Sequence, residues 1–138
     1  MTSDLVHSFI DEVWNRRKLD LLDTLVVDDY QLRNLADGSV EVRGREELRT
    51  HIDQWLAAFP DLQLQETDHL AADQRVVSCA RMTGSHTGTP FQGFERAGAR
   101  VDIAMVAIFD GDGQQLVSHS TLLDARRLVE QLAASHST

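Results

Sequence analysis

Residues 101–109, VDIAMVAIF, constrain this chain more tightly than any other segment. Side chains alternate along a strand, so Val101, Ile103, Met105, Ala107 and Phe109 fall on one side and Ala104, Val106 and Ile108 on the other. A strand apolar on both sides must be covered on both. Helices can cover one face. A second copy of the chain is the economical cover for the other, which predicts a homodimer through the outer sheet face.

The helices come from the first half of the sequence. Val6, Phe9, Ile10 and Val13 follow the spacing i, i+3, i+4, i+7, widened by Leu5 and Trp14, with Ser3 or Asp4 placed to cap the helix. LDLLDTLV reads as a short second helix and DYQLRNL as a strand, ended by the turn signal ADGS. In REELRTHIDQWLAAF, Leu48, Ile52, Trp55, Leu56 and Phe59 give the strongest helical period in the chain, and Pro60 stops it. The period then switches to two: RVVSCARMTGSHTG, ARVDIAMVAIF and QQLVSHSTLL read as strands, with DGDG as a hairpin turn. Asp124 is placed to cap a last helix carrying Ala125, Leu128, Val129 and Leu132. Helices that gather first and strands that follow predict an α+β fold with helices on one face of a curved sheet.

Bulk properties narrow the function. A chain of 138 residues with 42% apolar content fits one domain, 1–138, with a real core. A net charge of −9 argues against nucleic acid and anionic membranes as partners. Cys79 is the lone cysteine, the N-terminus is acidic and amphipathic, and no apolar run approaches the roughly 20 residues of a membrane span, so a cytoplasmic protein is expected. The chain has no G-x-S-x-G, phosphate loop or dinucleotide fingerprint. His7, His51, His69, His86, His119 and His136 are spread without H-x-x-x-H spacing, so no metal site is expected.

FIDEVWNRRKLDLLDTLVVDDY, WLAAFPDLQLQ, MTGSHTG and LVSHSTLLDARRLVEQL, taken together, resemble the SnoaL-like polyketide cyclases of the nuclear transport factor 2-like superfamily. The likeness runs from about residue 4 to residue 133. It implies a cone-shaped α+β barrel, with an apolar pocket between the helices and an antiparallel or mixed sheet. It further implies an aromatic or polyketide-derived small molecule as substrate, no cofactor, and a role in polyketide or antibiotic biosynthesis. Members close a polyketide ring by intramolecular aldol condensation, and relatives are assigned to hydroxylation. The cyclases carry His-Trp-Asp on the last strand, the Asp being the acid/base. Here those positions are His119, Ser120 and Thr121, so the carboxylate is missing.

His119 and Thr121 share one side of their strand. His119 is either a proton-transfer group or a core histidine, and Thr121 either orients substrate or is a strand former. Asp102, the lone charge inside VDIAMVAIF, is the candidate replacement carboxylate; its other reading is a salt bridge to Arg81, Arg96 or Arg100. Arg33 and Asn34 are candidate polar pocket residues, of which strand parity lets one face inward. His86 shapes a turn or stands at the pocket mouth. Phe91 and Phe94, in GTPFQGFERAG, belong to a lid or a plug. Trp14, Tyr30, Trp55 and Phe59 are core residues that in a hollow barrel also contact a flat ligand.

These residues lead to a cofactor-independent enzyme, a cyclase or a hydroxylase, in which Asp102 or His119 moves a proton. The absent carboxylate at 121 leans toward hydroxylation. A non-catalytic ligand-binding module of the same fold is the alternative. Epoxide opening would need a second buried carboxylate, which the sequence does not supply.

Overall fold

A computed structural model describes residues 1–95 and 98–134. Helix α1 (Thr2–Ser8) widens without a break into a π-helical run, Phe9–Asn15, and a 3₁₀ turn, Leu19–Leu21, leads into α2 (Leu22–Leu25). Strands β1 (Val26–Asn34) and β2 (Val40–Arg43) precede α3 (Arg45–Ala58). Then come β3 (Gln63–Ala72), β4 (Arg75–Ser85), β5 (Arg100–Gly111) and β6 (Leu116–Leu123), and α4 (Ala125–Ala134). The six strands form one sheet in the order β2-β1-β6-β5-β4-β3. Among the described residues only the β1–β6 pair, next to the β2 edge, is parallel, which makes the sheet mixed.

The expected α+β order holds, with two local differences. β2 was not foreseen: it is a four-residue edge strand with Val42 as its single buried side chain, too short to show a period. The first helix starts before its expected cap, at Thr2, because Thr2 is drawn into the fold. Its hydroxyl donates to Gln74 Oε1 at 2.7 Å, and it packs so closely on Gly111 that a Cβ there would lie 2.6 Å from Thr2 Oγ1. Asp124 caps α4 as expected, its Oδ1 accepting from Arg127 N–H at 3.2 Å. Leu128 and Leu132 are buried beneath α4, while Val129 stays exposed at the rim of that face.

Helices and sheet meet in one apolar cluster. Val6, Phe9 and Val13 from the N-terminal helix and Leu48, Ile52 and Trp55 from α3 face Leu32, Met82, Ile103 and Phe109 on the sheet. Polar ties hold the cover down. Asn15 pairs with the backbone of Leu64 through both its amide atoms, at 2.8 and 2.7 Å, and Arg17 donates to the carbonyls of Trp14, Pro60 and Leu62. No helix among the described residues is long and apolar enough to cross a membrane.

Candidate active site

Between the helices and the inner sheet face lies a cavity of about 960 Å³. Its walls are Phe9, Ile10 and Trp14 from the first helix, Leu48 and Trp55 from α3, and Leu64, Met82, Ala107 and Phe109 from the sheet. At its mouth the segment after β4 is pulled onto the end of α3: Gly88 N–H donates to Ala58 O and Thr89 N–H to Ala57 O, both at 3.0 Å. A Cβ at Gly88 would lie 1.7 Å from Ala57 O, so the last glycine of TGSHTG is required by this close approach. The contact sets Phe91 against Trp55, ring centroids 4.5 Å apart.

His119 sits deep in this cavity and is 8% exposed. Its ring stacks on Phe109 at 4.6 Å and meets Phe9 edge-on at 5.7 Å. Nδ1 lies 2.6 Å from the hydroxyl of Tyr30, which is completely buried. Among the described residues that hydroxyl has no other hydrogen-bond partner. Were Nδ1 the donor, the phenolic proton would be left unpaired in the core, at a cost of about 1–3 kcal/mol. Tyr30 therefore donates to Nδ1, and the imidazole proton resides on Nε2. Nε2 has no protein partner among the described residues and is the ring atom left to the cavity. Burial, reinforced by His51, pushes the His119 pKa down to about 3, and burial with the nearby Asp110 charge raises that of Tyr30 well above its ordinary value. Both groups are neutral at pH 7.

His51 is the site residue that sequence reasoning missed. It lines the cavity from α3, one turn before Trp55, and its ring makes no hydrogen bond to the described residues. Burial lowers its pKa, opposed by the Glu41 carboxylate. The available signal was its spacing, i+3 from Leu48 and i−4 from Trp55, which puts it on the margin of the apolar stripe.

The other candidates divide. Trp14, Asn34, Trp55, Phe91 and Thr121 line the cavity, Thr121 with its hydroxyl donated to Val106 O at 3.2 Å. Strand parity chooses Asn34 over Arg33: Arg33 is exposed on the outer face, donating to Gln31 Oε1 and Gly38 O. Phe59 is fully packed behind Trp55 and Phe91, outside the cavity wall. His86 is buried beside Phe59, and its Nε2–H donates to Thr89 O at 2.8 Å, which makes it the turn-shaping residue.

Asp102 requires the largest correction. It lies on the outer face of β5, its side chain 52% exposed and 2.8 Å from Arg81 Nη2. His119 pairs across β6 with Phe109, an inner residue, so the two expected partners project to opposite sides of the sheet. The salt-bridge reading of Asp102 is what the structure contains. Arg96 and His136 lie outside the described residues.

With this geometry in view, the comparisons decide the family. The model of the SnoaL-like polyketide cyclases matches residues 4–132. The chain belongs to that family. No curated protein matches the sequence. Among solved structures, a protein from Jannaschia sp. CCS1 assigned as a SnoaL-like polyketide cyclase superimposes with a TM-score of 0.85 at 21% identity, over 96% of this chain and 92% of that one. TsrD from Streptomyces laurentii gives 0.82 at 24% identity, over 95% and 93%. AclR from Streptomyces galilaeus, assigned as a hydroxylase, gives 0.82 at 22%, over 96% and 81%. These likenesses establish the SnoaL-like cone for this chain.

Proposed function

We propose that this SnoaL-like protein is an enzyme that moves a proton on a polyketide-like metabolite, using two neutral imidazoles in place of the family's aspartate. The observation that carries the reading is the Tyr30–His119 pair, which leaves an Nε2–H donor at the bottom of an apolar cavity. That donor is set for a carbonyl oxygen and strengthens its bond as the oxygen becomes an enolate. His51, with no proton on one nitrogen at pH 7, takes the proton from the carbon beside that carbonyl. The carbanion adds to a second carbonyl of the same molecule, forming the ring C–C bond. The resulting alkoxide recovers the proton from His51. No lysine or arginine among the described residues lines the cavity, whereas Glu41 and Asp53 do, which favours an uncharged ester over a free acid.

The test is incubation with a poly-β-carbonyl ester and detection of ring-closed product of unchanged mass. His51→Ala and His119→Ala should each lower turnover by roughly 10²- to 10⁴-fold with ligand binding retained. Oxygen from labelled dioxygen in the product would assign the chain to hydroxylation, as AclR is assigned. Binding without turnover would assign it to a ligand-binding role.

The reading includes a cytoplasmic homodimer. On the outer sheet face Leu122, Val106 and Cys79 form one cross-strand row, and Ile108, Val77 and Leu70 the next. Leu70 is 64% exposed and Leu122 44%. A second copy of this face supplies a matching apolar cover. Light scattering should give twice the chain mass for the wild type and a monomer for Val106→Glu/Ile108→Glu; a wild-type monomer at all concentrations overturns the dimer.

A further inference from the structure

Beside the cavity, α1 and β3 bring together three metal-ligating side chains, His7, Glu66 and His69. His7 Nε2 is 3.3 Å from Glu66 Oε1, and His69 Nδ1 is 2.8 Å from Glu66 Oε2. One ligand atom from each of the three lies within 4.8 Å of the others. The two imidazoles face each other at 4.4 Å.

Residues three apart on a regular strand point to opposite faces. Here a bulge intervenes: Glu66 pairs with Ala80 and Asp68 with Cys79, leaving Thr67 as the extra residue. Glu66 and His69 thereby regain one face, opposite Ala80 and Ser78, and His7 comes down on them from α1. Outer contacts hold two of the three groups. Ser3, one turn before His7, bonds His69 Nε2 at 2.7 Å, and Ser78 donates to Glu66 Oε2 at 2.5 Å. Histidine ligands characteristically carry such a partner on the nitrogen that does not bind metal.

We infer that His7, Glu66 and His69 form a binding site for a divalent first-row metal ion of the Zn²⁺ type. Tetrahedral bonds of roughly 2.0–2.1 Å separate neighbouring ligand atoms by about 3.3 Å, close to the spacing already present between His7 and Glu66. Two nitrogens and one carboxylate suit zinc or cobalt better than calcium or magnesium, which prefer all-oxygen shells. The His7 side chain is 51% exposed, so an ion can reach the site from solvent. His7 and Glu66 line a surface depression that shares Ile10 and Leu64 with the cavity, so an ion bound here would lie next to the cavity's wall.

The experiment is titration of the metal-stripped full chain with Co²⁺, read by visible absorption, and then competition with Zn²⁺. The wild type should bind one ion per chain in tetrahedral or five-coordinate geometry, and Zn²⁺ should raise its melting temperature. His7→Ala and His69→Ala should each weaken binding by more than 10-fold and abolish the Zn²⁺-dependent shift. Ser3→Ala, which removes no ligand, should weaken it by a smaller factor. Circular dichroism confirms that each variant is folded. Co²⁺ affinity unchanged in the His7→Ala/His69→Ala double variant overturns the site, as does a wild type that binds no Co²⁺.

Discussion

The inner and outer faces of β5 and β6 differ by one residue of strand parity, and they put two ionisable groups in opposite conditions. On the inner face His119 is enclosed by Phe9, Phe109 and Tyr30 and is held neutral. On the outer face Asp102 keeps half its side chain in water and has a guanidinium beside it. Burial changes the acidity of the first group, while the second sits at the surface in an ion pair with Arg81. Titratable chemistry therefore follows the face a residue is on more closely than the strand it belongs to.

Acid should act on the inner face most strongly. The unfolded chain has an ordinary imidazole at residue 119, near 6.5, whereas the folded pKa is about 3. Between these values the unfolded state binds a proton that the folded state refuses, so stability falls as pH falls through this window. The loss begins below about 6.5, amounts to about 2 kcal/mol between pH 7 and pH 5 from this group alone, and levels off below about 3. Urea unfolding of the wild type and His119→Gln at the two pH values isolates it. Equal losses in both would mean that the imidazole is hydrated, and the contrast between the faces would fail.

The next effect down concerns Tyr30. Tyr30→Phe removes the hydroxyl and leaves Nδ1 with no partner in the core, which should cost about 1–2 kcal/mol in urea unfolding. Imidazole ¹⁵N shifts supply the sharper readout. The wild type should show a protonated Nε2 and a bare, hydrogen-bonded Nδ1, and the variant a mixture of tautomers. A wild-type signal from protonated Nδ1 would reverse the proposed roles, making Nε2 a base.

Much of the fold was legible because local period and tertiary environment agreed. The Leu48, Ile52, Trp55 stripe gave α3, Pro60 its end and Asp124 the start of α4. The parity of His119 with Thr121 and of Asn34 against Arg33 was equally readable. Which of these faces the cavity was not, because it depends on hairpin register. Asp110 pairs with Ser118 but Gly111 with Leu116, a bulge beside the turn that shifts the partners by one residue. A one-residue slip exchanges the two faces of a strand. DGDG announces a turn without announcing its bulge, so the sequence did not show that Asp102, chosen as the lone charge in its strand, and His119 face opposite sides. Tyr30 as the support of His119 was hidden for another reason: the two are 89 residues apart, and no local pattern records a contact at that range. The bulge at Thr67 likewise concealed the grouping of Glu66 and His69.

The smallest effect belongs to the outer face. The Arg81–Asp102 pair is half exposed on both sides, and exposed pairs contribute about 0–1 kcal/mol. Asp102→Asn should therefore change stability by less than about 1 kcal/mol and leave turnover within about twofold of the wild type. The backbone at this position is secured separately. Beyond the end of β6, the Asp102 N–H donates to Gln131 Oε1 at 2.8 Å and its carbonyl accepts from Gln131 Nε2 at 3.0 Å, so α4 closes the strand edge without using the carboxylate. Gln131→Ala should consequently destabilise the fold more than Asp102→Asn does. Thermal unfolding of the two variants side by side checks the order, and a large loss of turnover in Asp102→Asn alone would show that the outer carboxylate reaches the chemistry.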